Sequence, residues 1–223
     1  MEHDISYRPS FSLLTVSLEE GESIRAESGA MVSHDTSIEM ETNATGGFLK
    51  SLTRSLGGES FFQNTFHATA PGDVQFAPVL PGDIVHRELD DETVYVQSSS
   101  YIAGDPSLDV DSEFGGAKSF LGGEGLVLLR VTGSGPLFMS SYGAIQAVDV
   151  SDRDDFVVDT GHIVAFEESL DFTVRRVGGL KSTLTSGEGL VCNFTGDGTV
   201  WLQSRSESSF LAWLIPKIPT SPN

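Results

Sequence analysis

The stretch Gly115-Gly116-Ala117-Lys118-Ser119, closed by Gly122-Gly123-Glu124-Gly125, sets a cation and a hydroxyl beside two glycine pairs. Glycine-rich backbone can hold an anion through its N–H groups, and lysine adds a point charge. Nucleotide hydrolysis asks for more, a G-x-x-x-x-G-K-[ST] loop between a strand and a long helix. Here the lysine follows Ala117 and a second turn arrives within a few residues, so spacing and context both exclude that loop. The same Lys-Ser step follows a glycine pair at Lys50 and at Lys181. Lys50, Lys118 and Lys181 are thus three of only four lysines in the chain. Two readings stay open. The three cations form an anion or lipid-headgroup contact on one rim, with Arg54 able to stand in for Lys50, or each neutralises the glutamate of the turn that follows, Glu59, Glu124 or Glu188.

The other reactive side chains form no pattern. His3, His34, His67, His86 and His162 include no H-x-H pair and fall at different positions along the chain, so no metal site and no cofactor are expected. Cys192 sits in the apolar run LVCNF without a neighbouring base, and no G-x-S-x-G elbow is present. The acidic runs Asp90-Asp91-Glu92, Asp152-Arg153-Asp154-Asp155 and Glu167-Glu168 lack the spacing of a helix–loop–helix calcium site and read as solvated strand ends. A non-enzyme is expected.

Stepping outward, 223 residues with 39% hydrophobic side chains suffice for a sizeable core. The net charge is −19, carried by 32 acidic against 13 basic residues, and nine of the basic residues are arginine. A carboxylate-dense surface poor in lysine predicts hydration in concentrated salt, a halophilic cytoplasm, and opposes nucleic acid as a partner. The polar, acidic start MEHDISYRPS predicts no signal peptide, and no apolar run reaches the length of a membrane-spanning helix. A cytoplasmic location is expected.

The elements that must position these residues come in three copies. Glu22–Met40, Glu92–Val110 and Asp154–Phe172 align for 19 residues without a gap, matching Ile24 with Val94 and Phe156, and Met31-Val32 with Tyr101-Ile102 and Ile163-Val164. Each is followed by a glycine loop carrying the Lys-Ser step, then by two strand-like runs. Alternation in TVYVQ, SLDVD and TVWLQS predicts strands, and Ala70–Asp73, Thr132–Gly135 and Thr195–Gly198 read as hairpin turns between the last two strands of each copy. Helix is expected only as short pieces, at Phe48–Leu56 and in the C-terminal SSFLAWLIPKIP. The predicted fold is all-β: three tandem β-sandwich units over 9–78, 79–149 and 150–209, with pseudo-threefold symmetry, and an apolar tail over 210–223. The tail is expected to dock on the chain's own body or on a second subunit, with membrane-surface contact as the alternative.

The GES-FFQNTF run at Gly58–Phe66, SSYIAG at Ser99–Gly104, GGAKSFLGGEGL and the FTGDGTVWLQSR ending resemble the mitochondrial-biogenesis family named for altered inheritance of mitochondria, over about Phe11 to Pro216. The resemblance implies a fold similar to the tryptophan RNA-binding attenuator, a short double-stranded β-helix that assembles into rings. Three units per chain would then give a ring of about nine units from a homotrimer. It supplies no catalytic residue, and fold alone does not fix function. The expectation is a non-catalytic scaffold or binding module, peripheral to a membrane in one version. The alternative is small-ligand or anion binding in clefts between units, with RNA binding third.

Overall fold

The computed structural model describes residues 1–42, 63–111, 120–121, 126–176 and 190–218. The chain is predominantly β-strand. The strands are β1 (Glu2–Ser6), β2 (Leu13–Leu18), β3 (Ser23–Glu27), β4 (Met31–His34), β5 (Ile38–Thr42), β6 (Gln63–Ala68) and β7 (Gly72–Phe76). They continue through β8 (Ile84–Gln97), β9 (Tyr101–Gly104), β10 (Asp109–Asp111), β11 (Phe120–Leu121) and β12 (Leu126–Ser140). The last are β13 (Ile145–Asp149), β14 (Phe156–Asp159), β15 (Ile163–Glu167), β16 (Asp171–Arg176), β17 (Leu190–Thr195) and β18 (Thr199–Gln203), before the helix α1 (Glu207–Leu214). Period-two alternation explains the strands. In Leu13–Leu18, Leu14, Val16 and Leu18 point inward while Ser17 faces water.

The hydrogen-bonding order follows one scheme in three successive stretches. Over 13–76, β7 lies between β2 and β4, and β6 between β3 and β5. Over 145–203, β18 lies between β13 and β15, and β17 between β14 and β16. Over 84–140, β8 and β12 are long enough to serve both ladders. Ile84–Leu89 pairs with Gly135–Ser140, and Glu92–Gln97 with Leu128–Gly133. β9 then joins the first ladder and β10 the second. Two further ladders tie stretch to stretch, β3 with β9 and β8 with β15.

The three glycine turns expected to close hairpins do not close them. β6 and β7 pair with different neighbours, as do β17 and β18, so their turns lead the chain from one ladder to another. In the middle stretch no turn forms at all, and β12 runs straight through Thr132–Gly135. Gly133 and Gly135 take φ +134° and +132°, conformations open to glycine but rarely to other residues, so the strand bends there without reversing. Facing them, Asp90 and Asp91 form a bulge against Ser134, whose hydroxyl accepts from the Asp91 N–H at 2.9 Å. The run Asp90-Asp91-Glu92, read from sequence as a strand end, therefore lies inside β8.

Buried side chains fall into three clusters. The first gathers Leu14, Val16, Ile24, Phe66 and Phe76 and takes in Ile102 and Ala103 of β9. The second is centred on Val94, Val96, Leu129 and Val131 and takes in Val164 and Ala165 of β15. The third holds Val158, Ile163, Phe166, Cys192 and Phe194. Burial pushes the Cys192 thiol up to about 12, which leaves it an inert core side chain.

Candidate functional site

At one end of the molecule the connections β3–β4, β8–β9 and β14–β15 meet. They contribute Glu27, the 3₁₀ turn Ser98–Ser100 with Gln97, and Thr160-Gly161 to the wall of one pocket of about 430 Å³. Pro78 and Val79 beyond β7, Ser140-Ser141-Tyr142 beyond β12, and Gln203 at the end of β18 complete it, and Ser206, Glu207 and Leu211 line its rim. Eight polar residues are buried among the described residues, and six of them, Ser100, Ser140, Ser141, Thr160, Gln203 and Ser206, line this one pocket. Buried polar atoms cost stability unless hydrogen-bonded, so such a concentration marks a surface built for polar contact.

Part of the wall is fixed in place. The Gln203 amide donates to Gly161 O at 2.9 Å and accepts from Tyr142 N–H at 2.8 Å, so its orientation is set from both sides. Thr160 Oγ1 donates to Leu190 O at 3.2 Å, and Ser141 Oγ donates to Gly143 O at 2.7 Å. By contrast, Gln97 Oε1 is buried with no hydrogen-bond partner. The only ionisable groups on the described lining, Tyr142 aside, are the carboxylates of Glu27 and Glu207. Hydroxyls, amides and carboxylates can hold a hydrogen-bonding solute, and no cation on the described wall attracts an anion.

Beside this pocket an ion pair between half-exposed Arg8 and buried Asp83 fastens the N-terminal segment. Asp83 receives Arg8 through both carboxylate oxygens, at 2.8 and 2.9 Å, together with Ser12 Oγ and the Ile84 N–H. Burial alone would push Asp83 up. The hydrogen bonds from Arg8, Ser12 and Ile84 and the charge of Arg8 outweigh it and hold the carboxyl below the ordinary value. Gly82 has to be glycine, because a Cβ there would lie 1.6 Å from Ser141 O.

The histidines scatter, with one exception. His67 meets Ser23 Oγ, His162 meets Gln203 O and His34 meets its neighbour's carbonyl Asp35 O, each at 2.8 Å. His3 of β1 and His86 of β8, however, meet with ring centroids 4.3 Å apart and planes inclined by 54°, both beside Phe138, and His86 Nε2 lies 3.3 Å from Glu88 Oε2. Burial, and then the His86 charge, lower the pKa of His3. β1 and β8 belong to different sheets, so the packing of one sheet on the other creates this pair, and nothing in the local sequence signals it.

The C-terminal segment is helical from Glu207, capped by Ser206 Oγ accepting from Ser209 N–H. It leans on the body through Phe210 against Tyr142, but none of its residues is buried. Trp213 is 59% and Ile215 61% exposed, with Lys217 over the Trp213 ring at 5.2 Å. No helix among the described residues is long and apolar enough to cross a membrane. Lys50, Lys118 and Lys181 lie outside the described residues.

The sequence singled out cations and missed the serines. Ser98–Ser100 and Ser140-Ser141 carry no charge and no motif, and only the alignment of Ser98–Ser100 with Ser28–Ala30 and Thr160–His162 hints at a shared place.

Known proteins place this architecture. The profile described as mitochondrial biogenesis AIM24 matches residues 3–205. An uncharacterised protein of Streptococcus pyogenes serotype M6 is 29% identical over 232 residues, covering 100% of this chain and 93% of its own length. A crystal structure of a Streptococcus pyogenes protein superposes with a TM-score of 0.80 at 26% identity, over 97% of this chain and 99% of that one. The chain therefore belongs to the mitochondrial biogenesis AIM24 family.

Proposed function

We propose that the chain is a non-catalytic binding scaffold of three equivalent β-sandwich units with pseudo-threefold symmetry, working as a homotrimer. The recurring ladder order supports the three units. Because β13 pairs with β18, the second boundary is drawn between β12 and β13, near Tyr142-Gly143, rather than at residue 150. The binding surface is the end where the three β-turn connections meet. The observation that carries this reading is the gathering of six of the eight buried polar residues on one pocket wall.

The lining selects an uncharged hydrogen-bonding solute such as a neutral amino acid or a polyol. A thermal-shift screen of such compounds tests it. Compounds that raise the Tm of the parent should leave a Ser98→Trp variant, whose pocket is filled, unmoved. An equal shift in both proteins, or none in the parent across the whole screen, removes the reading.

Anion binding is carried by Lys50, Lys118 and Lys181 instead. The register pairs Glu27 with Gln63 and Asp159 with Val191, so the strands flanking two of the three lysine segments end beside this same pocket. A second reading, peripheral contact with a membrane surface, is favoured by the exposed Trp213, Ile215 and Ile218 of the C-terminal segment.

A further inference from the structure

A second cleft, of about 480 Å³, lies between α1 and the segment that leaves β18. Tyr142 and Ser206 are common to its wall and to that of the pocket described above. In charge the two are opposites. Arg205 and His162 line the second cleft with Ser204 and Ser209, and no carboxylate is among its described lining residues. The carboxylates closest in sequence, Asp159 and Glu207, line the two adjoining cavities instead. Arg8, Arg87 and Arg130 each hold a carboxylate, whereas Arg205 holds none among the described residues. In a chain of net charge −19, a wall with a spare guanidinium and no carboxylate departs from the average surface.

Two glycines give this wall its shape. Gly143 takes φ +80°, and a Cβ there would collide with Ser204 Oγ and lie 2.9 Å from Arg205 Cγ. Without one, the chain beyond β18 settles on the β12–β13 connection. Ser204 N–H donates to Ala144 O at 2.9 Å, and Arg205 N–H to Tyr142 O at 3.2 Å. Gly161 likewise makes room for Ser206, whose Oγ would lie 2.8 Å from a Cβ. Donors are left over. Ser204 Oγ accepts from Ala144 N–H at 2.9 Å and keeps its own hydrogen to give. His162 Nδ1 faces Gln203 O at 2.8 Å. A carbonyl only accepts, so Nδ1 carries the hydrogen, and Nε2 has no partner among the described residues.

The remaining wall is aromatic. Phe210 and Trp213 stack with centroids 6.1 Å apart and planes inclined by 29°, and Tyr142 meets Phe210 edge-on at 6.1 Å. Such rings hold a planar or apolar body beside a cation that takes its charge.

We infer that this cleft binds an oxyanion carried on an apolar body. Arg205 and the hydroxyls of Ser204 and Ser209 take the oxyanion, and Phe210 and Trp213 take the body. The guanidinium fork matches two oxygens of a phosphate at once. Phosphate is the group that a soluble aryl or alkyl ester shares with a lipid headgroup. The charge comes from Arg205 and not from the three lysines, and Ser98 takes no part, so this cleft and the solute pocket stand or fall separately.

Calorimetric titration of the full chain with phenyl phosphate at high salt tests it. The parent should bind saturably. Arg205→Gln should keep the parent's Tm and weaken binding by about tenfold or more, the loss expected for a hydrogen bond to a charged group. Trp213→Ala should weaken phenyl phosphate by about fivefold and leave the weaker binding of inorganic phosphate, which has no body, unchanged. That split separates loss of the ring contact from loss of the fold. Dihexanoylphosphatidylglycerol below its micelle concentration is the second arm. Tighter binding than phenyl phosphate assigns the cleft to a lipid headgroup, and weaker binding assigns it to a soluble ester. A parent that binds neither probe, or an Arg205→Gln variant that binds as tightly as the parent, overturns the site. So does loss of binding in Ser98→Trp, which places the probe in the neighbouring pocket, or loss in Lys50→Gln, Lys118→Gln, Lys181→Gln with Arg205→Gln unaffected, which gives the anion to the lysines.

Discussion

β4 and β9 occupy the same position in two aligned stretches and have opposite surroundings. Tyr101-Ile102-Ala103-Gly104 of β9 is buried throughout, whereas Met31-Val32-Ser33-His34 of β4 is exposed throughout. Both strands pair on one side with the last strand of their own stretch. Only β9 has a strand on its other side, β3. Burial here is decided by the neighbour and not by the strand itself. β4 keeps the apolar Met31 and Val32 on an edge with no neighbouring strand among the described residues, and the proposed homotrimer can be tested there.

The largest predicted effect separates the two directly. Ile102→Ala removes a side chain from a closed core and should cost about 3 kcal/mol of unfolding free energy in denaturant titration. Val32→Ala at the aligned position should change the stability of the dissociated chain by less than about 0.5 kcal/mol. Its effect should appear instead in the concentration at which the oligomer dissociates. Equal losses of monomer stability at both positions would break the comparison.

A polar residue on the covered side should behave as Ile102 does, with an added dependence on pH. Asp83 is buried under Arg8 and Ser12. Asp83→Asn leaves these donors without a charged acceptor and should cost about 2 kcal/mol at neutral pH, discounted because Arg8 is half exposed. The carboxyl is held below its reference of 3.8 in the fold. Its contribution is therefore complete at pH values well above 3.8 and is lost as pH falls through the depressed folded value. The gap between parent and variant, measured by urea unfolding along a pH series, should close in acid. A gap that stays constant would show that Asp83 acts through packing and not through its charge.

The sequence made the repeat legible because each copy preserves the inward-facing positions, and with it the all-β fold. It misread the glycine turns as hairpins, because a glycine that reverses a chain and one that bends it between ladders look alike. Gly133 and Gly135 differ from a hairpin only in what β8 does opposite them. The pocket was not legible, and the lysines that the sequence offered lie outside the described residues. Lysines stand out in a chain with four of them, whereas Ser98, Ser100 and Ser140 become a site only when three separate connections converge. The His3–His86 contact was illegible because it forms where a strand of one sheet packs against a strand of another.

The smallest stability effect belongs to the uncovered helix α1. Trp213 touches Phe210 and Lys217 but is 59% exposed, so Trp213→Ala should move the Tm very little. Its exposed ring is the surface on which the proposed membrane contact rests. Tryptophan, isoleucine and a lysine at the end of a short helix suit the boundary between headgroups and acyl chains, yet one such segment holds weakly. A trimer presents three together, which turns a marginal contact into a measurable one through effective concentration. The parent should therefore float with anionic vesicles at high salt, and Trp213→Ala should remain at the bottom of the gradient. If Trp213→Ala floats too, the exposed face of α1 is not the surface that meets the membrane.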